Sequence, residues 1–400
     1  MEQIYLKDIC DLDNGYAFKS DDYVENSNTL NCRMSNIRPD GSFDIMYSSK
    51  YLPDEYAEKY KDYLLNDGDL IIAMTDMAGD PKILGVPTVV NTKGYNVLLN
   101  QRVGRLRFIK SGVNADYLKL ALQSPKVRSY LKRFAGGGVQ LNVSKKDILN
   151  TPVLMRNEEE KTYIADLFKR VIRIKKQRVK ELGELDNLIK SRFVEMFGDP
   201  VTNPKNLPIV SLGELSELIT KGASPSWQGF SYTEDSSQTL FITSENVREG
   251  YIDLSSPKYI EDGFNEKQKR SILYKGDFLI NIVGASIGRA AQFNLDCKAN
   301  MNQAAALVRV KDKRISNKYL LNYLNSEKAQ MMYNSMKSDT GRANLSLQDI
   351  AELSIMLPLI EQQINFEKFV EQVDKSKFKV QKSLEETQKL MDSLMQQYFG

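Results

Sequence analysis

The sequence predicts an α+β protein in which two pseudo-repeated globular domains of mixed α/β type are separated by a long antiparallel two-helix coiled coil. Three observations predict this fold class. The last residues of the chain, SLMQQYFG at 393–400, resemble SRFVEMFG at 191–198. The same spacing relates many other positions of the two halves. Each half also closes with a proline-free segment rich in helix-forming residues, at 158–197 and again at 360–399.

The repeat extends over most of the chain. Aligned positions of the two copies differ by 202 in residue number near the end of each copy. The difference is 208 where NDGDLIIAM (66–74) aligns with YKGDFLINI (274–282). At LKDICDL (6–12) and LGELSEL (212–218) the shift is 206. Because this period is far longer than a solenoid repeat, it indicates two copies of a whole domain with its appendage. Identical residues at the shift of 202 are Asn100 and Asn302, Gln101 and Gln303, Tyr117 and Tyr319, Asn142 and Asn344, Asp147 and Asp349, and Phe197 and Phe399.

Each copy begins as a globule of short strands and loops. Apolar runs such as 70–74 and 278–283 are bounded by Gly, Pro, Asn and Asp, a pattern typical of strands between turns. One helix is predicted at 115–134, with a counterpart at 317–337. We expect the globular domains at 1–156 and 199–358, and the spacer helices at 157–198 and 359–400.

The two closing segments predict long helices that pack on each other. Apolar residues recur at spacings of three and four, and each helix would be about 60 Å long, too long to be buried on one small globule. The linker GDPVTNPKNLP (198–208) predicts that the second helix runs back antiparallel, which gives a dumbbell with a fixed distance between the globules. The residues expected at the contact with the partner helix are Phe168, Leu182, Leu185, Ile189, Phe193, Val373, Leu384, Met391 and Leu394.

An alternative is two independent domains whose helices associate loosely. Lys175 falls at a seam position of the first helix, which weakens a regular heptad.

The composition excludes several classes of protein. The chain contains no histidine, which removes serine–histidine and cysteine–histidine catalysis and histidine metal sites. The three cysteines are scattered, so neither a disulfide framework nor a zinc cluster is expected. The start MEQIYLKDIC does not resemble a signal peptide, and apolar runs stay short of the roughly 20 residues that span a bilayer. We expect a cytoplasmic protein without a membrane partner.

Two similar, separated, non-catalytic modules suit a linear ligand with two spaced sites, for which duplex DNA is the obvious candidate, and their polar, glycine-containing loops have the right residue types. Glycine permits close backbone approach, Lys and Arg contact phosphates, and Asn, Gln, Arg and Ser read base edges. The net charge of +3 is too small to decide the question, because local clusters set the affinity for phosphate. The loops are NGYAFKSDDY (14–23), NCRMSNIR (31–38) and GGGVQLNVSKK (136–146) in the first copy, and KGASPSWQGFSY (221–232), ITSENVREG (242–250), GASIGRAAQ (284–292) and TGRANLSLQ (340–348) in the second.

The chain resembles the specificity subunits of type I restriction-modification systems. The stretches that carry the resemblance are MFGDPVTNP (196–204), SWQGFSY (226–232), FITSENVREGYIDLS (241–255), GDFLI (276–280) and MNQAAALVR (301–309), together with the two-copy layout. The resemblance implies that each globule is a target-recognition domain for one half of a bipartite DNA target. It also implies that the helix pair sets the gap and holds two methyltransferase subunits that methylate adenine. Restriction or translocase subunits are further partners that the resemblance allows.

The sequence does not predict an enzyme. It lacks a glycine-rich cofactor loop, the Asn/Asp-Pro-Pro-aromatic motif of amino methyltransferases and a phosphate loop ending in Gly-Lys-Ser/Thr. We therefore expect no cofactor on this chain, with S-adenosylmethionine on the methyltransferase subunits, to which base flipping and methyl transfer would belong. The competing hypothesis is a non-catalytic coiled-coil scaffold that binds proteins instead of DNA.

Comparison of the two copies distinguishes shared structural residues from residues that could recognise DNA bases. Asn100 and Gln101 suit adenine, but their identity with Asn302 and Gln303 favours a structural role. Positions that differ are better readers: Gln140 aligns with Arg342, and Arg102 with Ala304. Trp227 is interpreted as a packing anchor in preference to a base-stacking wedge. The DNA-binding candidates are Lys19, Ser20, Arg33, Asn36, Arg38, Arg102, Gln140, Lys145, Lys146, Lys221, Ser226, Gln228, Ser244, Asn246, Arg289 and Arg342.

The segment KRVIRIKKQRVK at 169–180 is the densest basic run of the sequence. It is either a solvated helix face or a surface that contacts DNA phosphates or an acidic partner.

Overall fold

The computed structural model describes residues 2–110, 112–336 and 344–400. The chain forms two compact units. Unit 1 comprises Met1–Arg178 and Ser383–Gly400, and unit 2 comprises Val179–Lys382. The division falls within the two long helices instead of at their ends. Each unit therefore consists of one globule with half of each helix, a partition that differs from the boundaries expected from the sequence.

Unit 1 combines short strands with helices of one to three turns. Its strands are β1 (Glu2–Tyr5), β2 (Cys10–Asn14), β3 (Thr29–Cys32), β4 (Tyr51–Leu52), β5 (Leu64–Leu65), β6 (Leu70–Ala73), β7 (Thr75–Met77), β8 (Pro87–Val89), β9 (Asn96–Leu99), β10 (Val103–Phe108), β11 (Gln140–Asn142) and β12 (Pro152–Met155). Its helices are α1 (Tyr56–Lys59), α2 (Ala115–Gln123), α3 (Pro125–Phe134) and α4 (Lys145–Leu149), followed by the first half of α5 (Glu158–Phe197).

Unit 2 repeats this order with local changes. Its strands are β13 (Ile209–Ser211), β14 (Ser216–Lys221), β15 (Tyr232–Thr233), β16 (Thr239–Ile242), β17 (Tyr259–Ile260), β18 (Phe278–Asn281), β19 (Ala290–Gln292), β20 (Ala299–Met301), β21 (Ala305–Val310) and β22 (Ser354–Met356). Its helices are α6 (Leu212–Leu215), α7 (Pro225–Gln228), α8 (Gly263–Lys267), α9 (Asn317–Leu324), α10 (Glu327–Ser335) and α11 (Leu347–Ala351), followed by α12 (Ile360–Phe399), whose last residues belong to unit 1.

The two units share most of their sheet topology. Unit 1 has one sheet of order β2-β10-β6-β8 and a second of order β4-β3-β9-β5. Unit 2 matches the first with β14-β21-β18-β19. Its second sheet has the order β15-β17-β16-β20, in which β17-β16-β20 match β4-β3-β9, while the fourth strand pairs with β17 in unit 2 and with β9 in unit 1. In each second sheet one pair is parallel, β3 with β9 and β16 with β20. The structure confirms the predicted α+β class with two similar globular domains.

A repeated arginine–carboxylate contact fixes the first sheet of each unit. In unit 2, Arg309 donates from Nε and Nη2 to the two carboxylate oxygens of Asp277 at 2.8 and 2.7 Å, and this hydrogen bonding raises the pKa of Arg309. In unit 1 the equivalent Arg105 lies 3.8 Å from Asp69 and 3.0 Å from Asp13. The repeated Gly-Asp motif of the sequence thus supplies a structural carboxylate to each unit.

The single helix predicted at 115–134 is in fact two, and so is its counterpart. The Ser124 side chain accepts a hydrogen bond from the backbone N–H of Val127, and Pro125 begins the new helix. In unit 2, Ser326 caps α10 in the same way. A serine N-cap with proline at the first helical position favours a new helix start over continuation, which the apolar periodicity alone did not reveal.

The two long helices coincide with the proline-free segments 158–197 and 360–399 of the sequence, and they run antiparallel within each unit. In unit 1, Lys175 donates to the Gln388 side chain at 2.6 Å. In unit 2, Lys377 donates to Asp186 at 2.5 Å. Lys175 is therefore tolerated at the contact between the two helices, because its ammonium group donates a hydrogen bond to the Gln388 side chain of the facing helix. Within the described residues, neither these helices nor any other is both long and apolar enough to cross a membrane.

Each globule is closed by the ending of the other repeat. Phe399 lies 5.4 Å from Tyr117 between ring centroids, and the hydroxyl of Tyr117 donates to the Leu154 carbonyl. In unit 2, Phe197 lies 4.9 Å from Tyr319. Both phenylalanines are buried. The similar endings of the two repeats thus each place a buried phenylalanine in the hydrophobic core of a unit, and the long helix of the other repeat supplies it.

The residues expected at the helix–helix contact differ in burial. Phe168, Ile189, Phe193 and Val373 are buried, whereas the other five are half-buried. Leu185, Ile189, Phe193 and Val373 pack in one cluster of unit 2, and Phe168, Met391 and Leu394 pack in one cluster of unit 1.

We expect that Phe399→Ala destabilises unit 1 and that Phe197→Ala destabilises unit 2, each by about 3 kcal/mol, because the buried ring would leave a cavity. Hydrogen exchange followed by mass spectrometry measures this locally. Phe399→Ala should speed exchange in α2, and Phe197→Ala should speed it in α9. The corresponding Phe→Leu variants serve as controls with smaller effects. If Phe399→Ala instead speeds exchange in α9, or Phe197→Ala in α2, each phenylalanine would stabilise the globule of its own repeat, which would contradict this packing.

Candidate nucleic-acid interface

The strand order of unit 1 brings the predicted loops to one end of its sheets. Because β3 and β9 are parallel, with Cys32 beside Leu99, their carboxyl ends meet at the same edge. In the other sheet, the end of β2 and the end of β6 both pair with the beginning of β10. Hydrogen bonds between these chain segments join them directly: Tyr16 N donates to Leu99 O, Asn100 N to Cys32 O, Met74 N to Arg102 O, and Val143 N to Met74 O.

Unit 2 gathers the equivalent loops in the same way. The parallel strands β16 and β20 end together, with Ile242 beside Met301. The ends of β14 and β18 both pair with the beginning of β21. Asn302 N donates to Ile242 O, Ile282 N to Ala304 O, and Leu345 N to Ile282 O. We call these two sets of loops the strand-end faces: residues 15–20, 33–36, 74–77, 100–102 and 140–142 in unit 1, and residues 222–231, 243–246, 282–289 and 302–304 in unit 2.

A glycine at the start of each strand-end face is required by close packing. A Cβ atom on Gly15 would lie 2.3 Å from the carbonyl oxygen of Asn100, and one on Gly222 would lie 1.8 Å from that of Met301. Both distances are far below van der Waals contact. Glycine therefore lets the first loop of each unit lie directly on the turn between two strands.

The asparagines shared by both copies are structural, as the sequence comparison favoured. The Oδ1 atom of Asn100 accepts a hydrogen bond from the backbone N–H of Arg102 at 3.2 Å, and Asn302 does the same for Ala304 at 3.1 Å. The neighbouring Gln101 and Gln303 have exposed side chains on the strand-end faces. They are therefore available to a ligand, in contrast to the structural role that their identity suggested.

Asn36 and Asn246 are not available as readers, which corrects two site predictions. Asn36 is fully buried, and its amide donates to the carbonyls of Asp44, Ile45 and Tyr47 while Oδ1 accepts from Arg33 N. Asn246 is 6% exposed and makes the equivalent bonds, accepting from Thr243 N and donating to Asp253 O. Asparagine is used here to satisfy the backbone of a loop that has no partner strand.

Two equivalent arginines have different surroundings in the two units. The guanidinium of Arg38 lies 3.6 Å above the ring of Tyr47, which holds it by a cation–π contact. Its counterpart Arg248 donates to the Asp253 carboxylate from two nitrogens at 3.3 Å. The carboxylate offsets the charge of Arg248, whereas the ring of Tyr47 carries no charge that would offset that of Arg38. The side chain of Arg33 is anchored to the carbonyl and hydroxyl of Ser48.

Trp227 is 85% exposed, so its interpretation as a packing anchor is wrong. It lies in α7, on the strand-end face of unit 2. The ring that packs beneath this loop is Phe230, which contacts Phe264 edge to face at 5.6 Å. The sequence could not distinguish which of the two aromatic residues, three positions apart, points inward.

The remaining candidates fall into three groups. Lys145 is bound to Asp11 at 2.8 Å, which corrects its prediction as a free DNA-binding cation, whereas Lys146 next to it on α4 is exposed and stays a candidate. Arg342 lies outside the described residues. Of the others, the exposed ones are Lys19, Ser20, Arg102, Lys221 and Ser226, and the half-buried ones are Gln140, Gln228, Ser244 and Arg289.

The sequence reasoning missed Asn281, which positions the strand-end face of unit 2. It is fully buried, and its amide donates to Ser244 O at 2.9 Å and to Ser286 Oγ at 3.0 Å. It thereby ties two loops of this face together. The signal was a single polar residue within the apolar run FLINIV, at the position where the first copy has Ala73.

The basic run of α5 is only partly available to a ligand. Lys169 is bound to Asp116 at 2.7 Å, a contact that raises the pKa of Lys169, and Lys175 is bound to Gln388. Lys176 and Arg173 are exposed. The segment is therefore a mixture of paired residues and solvated cations.

Comparison with known proteins identifies both halves of the chain. Residues 1–184 and 204–388 match the family described as type I restriction modification DNA specificity domain. The specificity subunit of the type I restriction enzyme MjaVIII from Methanocaldococcus jannaschii is 24% identical over 192 residues, 47% of this chain and 43% of that protein. The EcoBI specificity subunit from Escherichia coli is 30% identical over 128 residues, 32% of this chain and 27% of that protein. The matches thus span less than half the length of these relatives.

Solved structures share the fold. The S subunit of a type I restriction-modification system from M. genitalium has a TM-score of 0.51 and 13% identity, covering 98% of this chain and 94% of that one. A chain from a structure of type I R-M complex assembly and conformational transition has a TM-score of 0.59 and 18% identity, covering 100% of this chain and 97% of that one.

If the exposed cations of α5 contact phosphates, the double variant Arg173→Gln/Lys176→Gln should reduce the salt dependence of duplex DNA binding. The slope of log K against log salt should fall by about 0.9 for each phosphate that is no longer neutralised. Fluorescence anisotropy of a labelled duplex at several salt concentrations measures this slope. Lys169→Gln is the matched control, because its charge is already paired, and its slope should stay unchanged. An unchanged slope in the double variant would leave this part of α5 as a solvated helix face.

Proposed function

The chain belongs to the family of type I restriction modification DNA specificity domains, which match both of its halves, and we propose that it is the specificity subunit of a type I restriction-modification complex. In this role it binds double-stranded DNA, and each globular domain reads one half of a bipartite target. The observation that carries the proposal is the duplicated strand-end face. Each unit of the chain has an equivalent set of loops, while the exposed side chains of the two sets differ.

The difference between the two faces suits the reading of two different half-sites. The shared residues, Gly15 with Gly222 and Asn100 with Asn302, hold the backbone. Other residues of the strand-end faces differ between the copies. Arg102 in unit 1, for example, aligns with Ala304 in unit 2. Arg offers a bidentate pair of donors to guanine, and alanine offers none. We propose that such positions determine the sequence of each half-site.

Methyl transfer belongs to partner subunits in this proposal. Two methyltransferase subunits would carry S-adenosylmethionine and flip the target adenine, and this chain would direct them to it. Exposed apolar side chains on the long helices support a protein partner there: Phe378 is 72% and Val179 is 54% exposed. A restriction or translocase subunit and a cytoplasmic location stay predictions.

The proposal predicts a bipartite methylation pattern. When the chain is coexpressed with its cognate methyltransferase, sequencing of the host DNA should show N6-methyladenine in a motif of two half-sites with an unread gap. Replacing residues 1–156 by the same region of another specificity subunit should change one half-site and keep the other. Methyltransferase expressed without this chain is the control. The absence of a motif, or the loss of both half-sites on replacement, would favour the protein-binding scaffold.

We further propose that the length of the helix pair sets the gap. Seven residues inserted after position 178 of α5 and after position 382 of α12 would lengthen each helix by about 10 Å, comparable with three base pairs. A heptad keeps the packing face nearly in register. The methylated motif should retain both half-sites and gain one to three base pairs in its gap. Insertion into α5 alone, the control, should disrupt pairing and methylation. An altered half-site with the original gap would contradict the proposal.

A further inference from the structure

The most exposed of the large apolar side chains is Trp227. It is 85% exposed, whereas tryptophan is on average among the more buried residues of folded proteins. It lies on the strand-end face of unit 2, in the loop that begins after Lys221. An exposed indole in this position adds nothing to the packing of the unit.

The backbone around Trp227 is held firmly. Pro225 begins α7, and Gly229 ends it in the left-handed conformation, with φ of 83°. Lys267 donates from Nζ to the carbonyl of Gln228 at 2.9 Å. Phe230 packs on Phe264 directly after the turn. The indole is therefore presented on a fixed support and would lose little conformational freedom when a ligand covers it.

Unit 1 does not present an aromatic ring in this way. In the equivalent loop, Phe18 is 9% exposed and packs with Tyr16 and Tyr60 at 5.0 and 5.3 Å. The loop of unit 1 thus turns its phenylalanine into the protein, and the loop of unit 2 turns its tryptophan out. The difference lies on the face that the two units otherwise build alike.

We propose that Trp227 contacts DNA by stacking on a base of the half-site bound by unit 2. This inference rests on the proposed function. Apolar side chains inserted at base steps act as wedges in duplex DNA, and aromatic rings stack on any base because every base has a π face. The cations at this loop favour DNA as the occupant: Lys221 is exposed at its start, and Lys267 lies against the helix that carries Trp227.

Trp227 is the only tryptophan of the chain, so fluorescence excited at the long-wavelength edge of the indole absorption, where the 20 tyrosines do not absorb, reports on it alone. The full-length chain is titrated with a duplex that carries the motif found by methylation sequencing, and with a scrambled duplex of equal length. The motif duplex should quench the fluorescence with saturation, and the scrambled duplex should quench it much less. Anisotropy of the labelled duplex gives the affinity independently.

Variants separate stacking from general effects. Trp227→Ala should bind the motif duplex about tenfold more weakly, because alanine has no ring to stack on a base. Trp227→Phe keeps a ring and should stay within about threefold of the original affinity. Leu359→Ala is the control, since Leu359 is 74% exposed in the same unit but lies next to α12. Circular dichroism checks that all variants are folded.

Several results would overturn the inference. The first is bound duplex without a change in fluorescence. The second is equal affinity of Trp227→Ala and the unchanged chain. The third is that Trp227→Ala weakens binding of the methyltransferase subunit without DNA, which would assign Trp227 to a protein contact. If coexpression with the methyltransferase gives no methylated motif, the proposed function itself fails, whereas a methylated motif whose duplex this chain does not bind overturns only the inference on Trp227.

Discussion

The fold depends on the contact between each closing phenylalanine and the tyrosine of the opposite repeat. Phe399 packs on Tyr117 in unit 1, and Phe197 packs on Tyr319 in unit 2. Burying a phenylalanine contributes about 1.5–3 kcal/mol, so the closure is a substantial part of the stability of a small domain. As a consequence, neither repeat provides its own closing residue. The long helices follow from this, because each must extend from its own globule to the core of the other unit.

The closure leaves the other end of each sheet free for loops. Helices α2 and α9, which receive the closing rings, cap their first turns with Asn114 and Ser316. The strand-end faces are built instead from backbone bonds, from glycines at positions of close approach and from buried asparagines. Such a scaffold tolerates changes in the exposed side chains, because the groups that hold the loops are not those that face solvent. This separation would allow two copies of one fold to carry the two specificities that we propose.

The sequence predicted the elements that rest on periodicity and repetition. The bounds of α5 and α12 and the antiparallel pairing followed from apolar spacing, proline-free composition and the linker. The break at Ser124 was missed because a cap depends on local hydrogen bonds that apolar spacing does not report.

The site was predicted at the level of loops and less well at the level of side chains. Asn36 and Lys145 have suitable chemistry, but a buried loop backbone and Asp11 already bind them. Trp227, which was expected to pack, is exposed, and Phe230 packs instead, because the direction of a side chain in an irregular loop is set by tertiary packing. The parallel pair β3 and β9, which gathers the loops, joins segments far apart in sequence, and no local pattern indicates it.

We propose that each unit presents its strand-end face to the DNA target. Hydrogen exchange of the full chain, with and without a duplex of the methylated motif, tests this proposal. We expect slower exchange at residues 15–20 and 100–102 in unit 1 and at residues 222–231 and 282–289 in unit 2. We also expect that removing one half-site from the duplex abolishes protection in one unit only. Protection of the opposite edge, at β1 with β12 and β13 with β22, or protection of a single unit by both half-sites, would contradict the proposal.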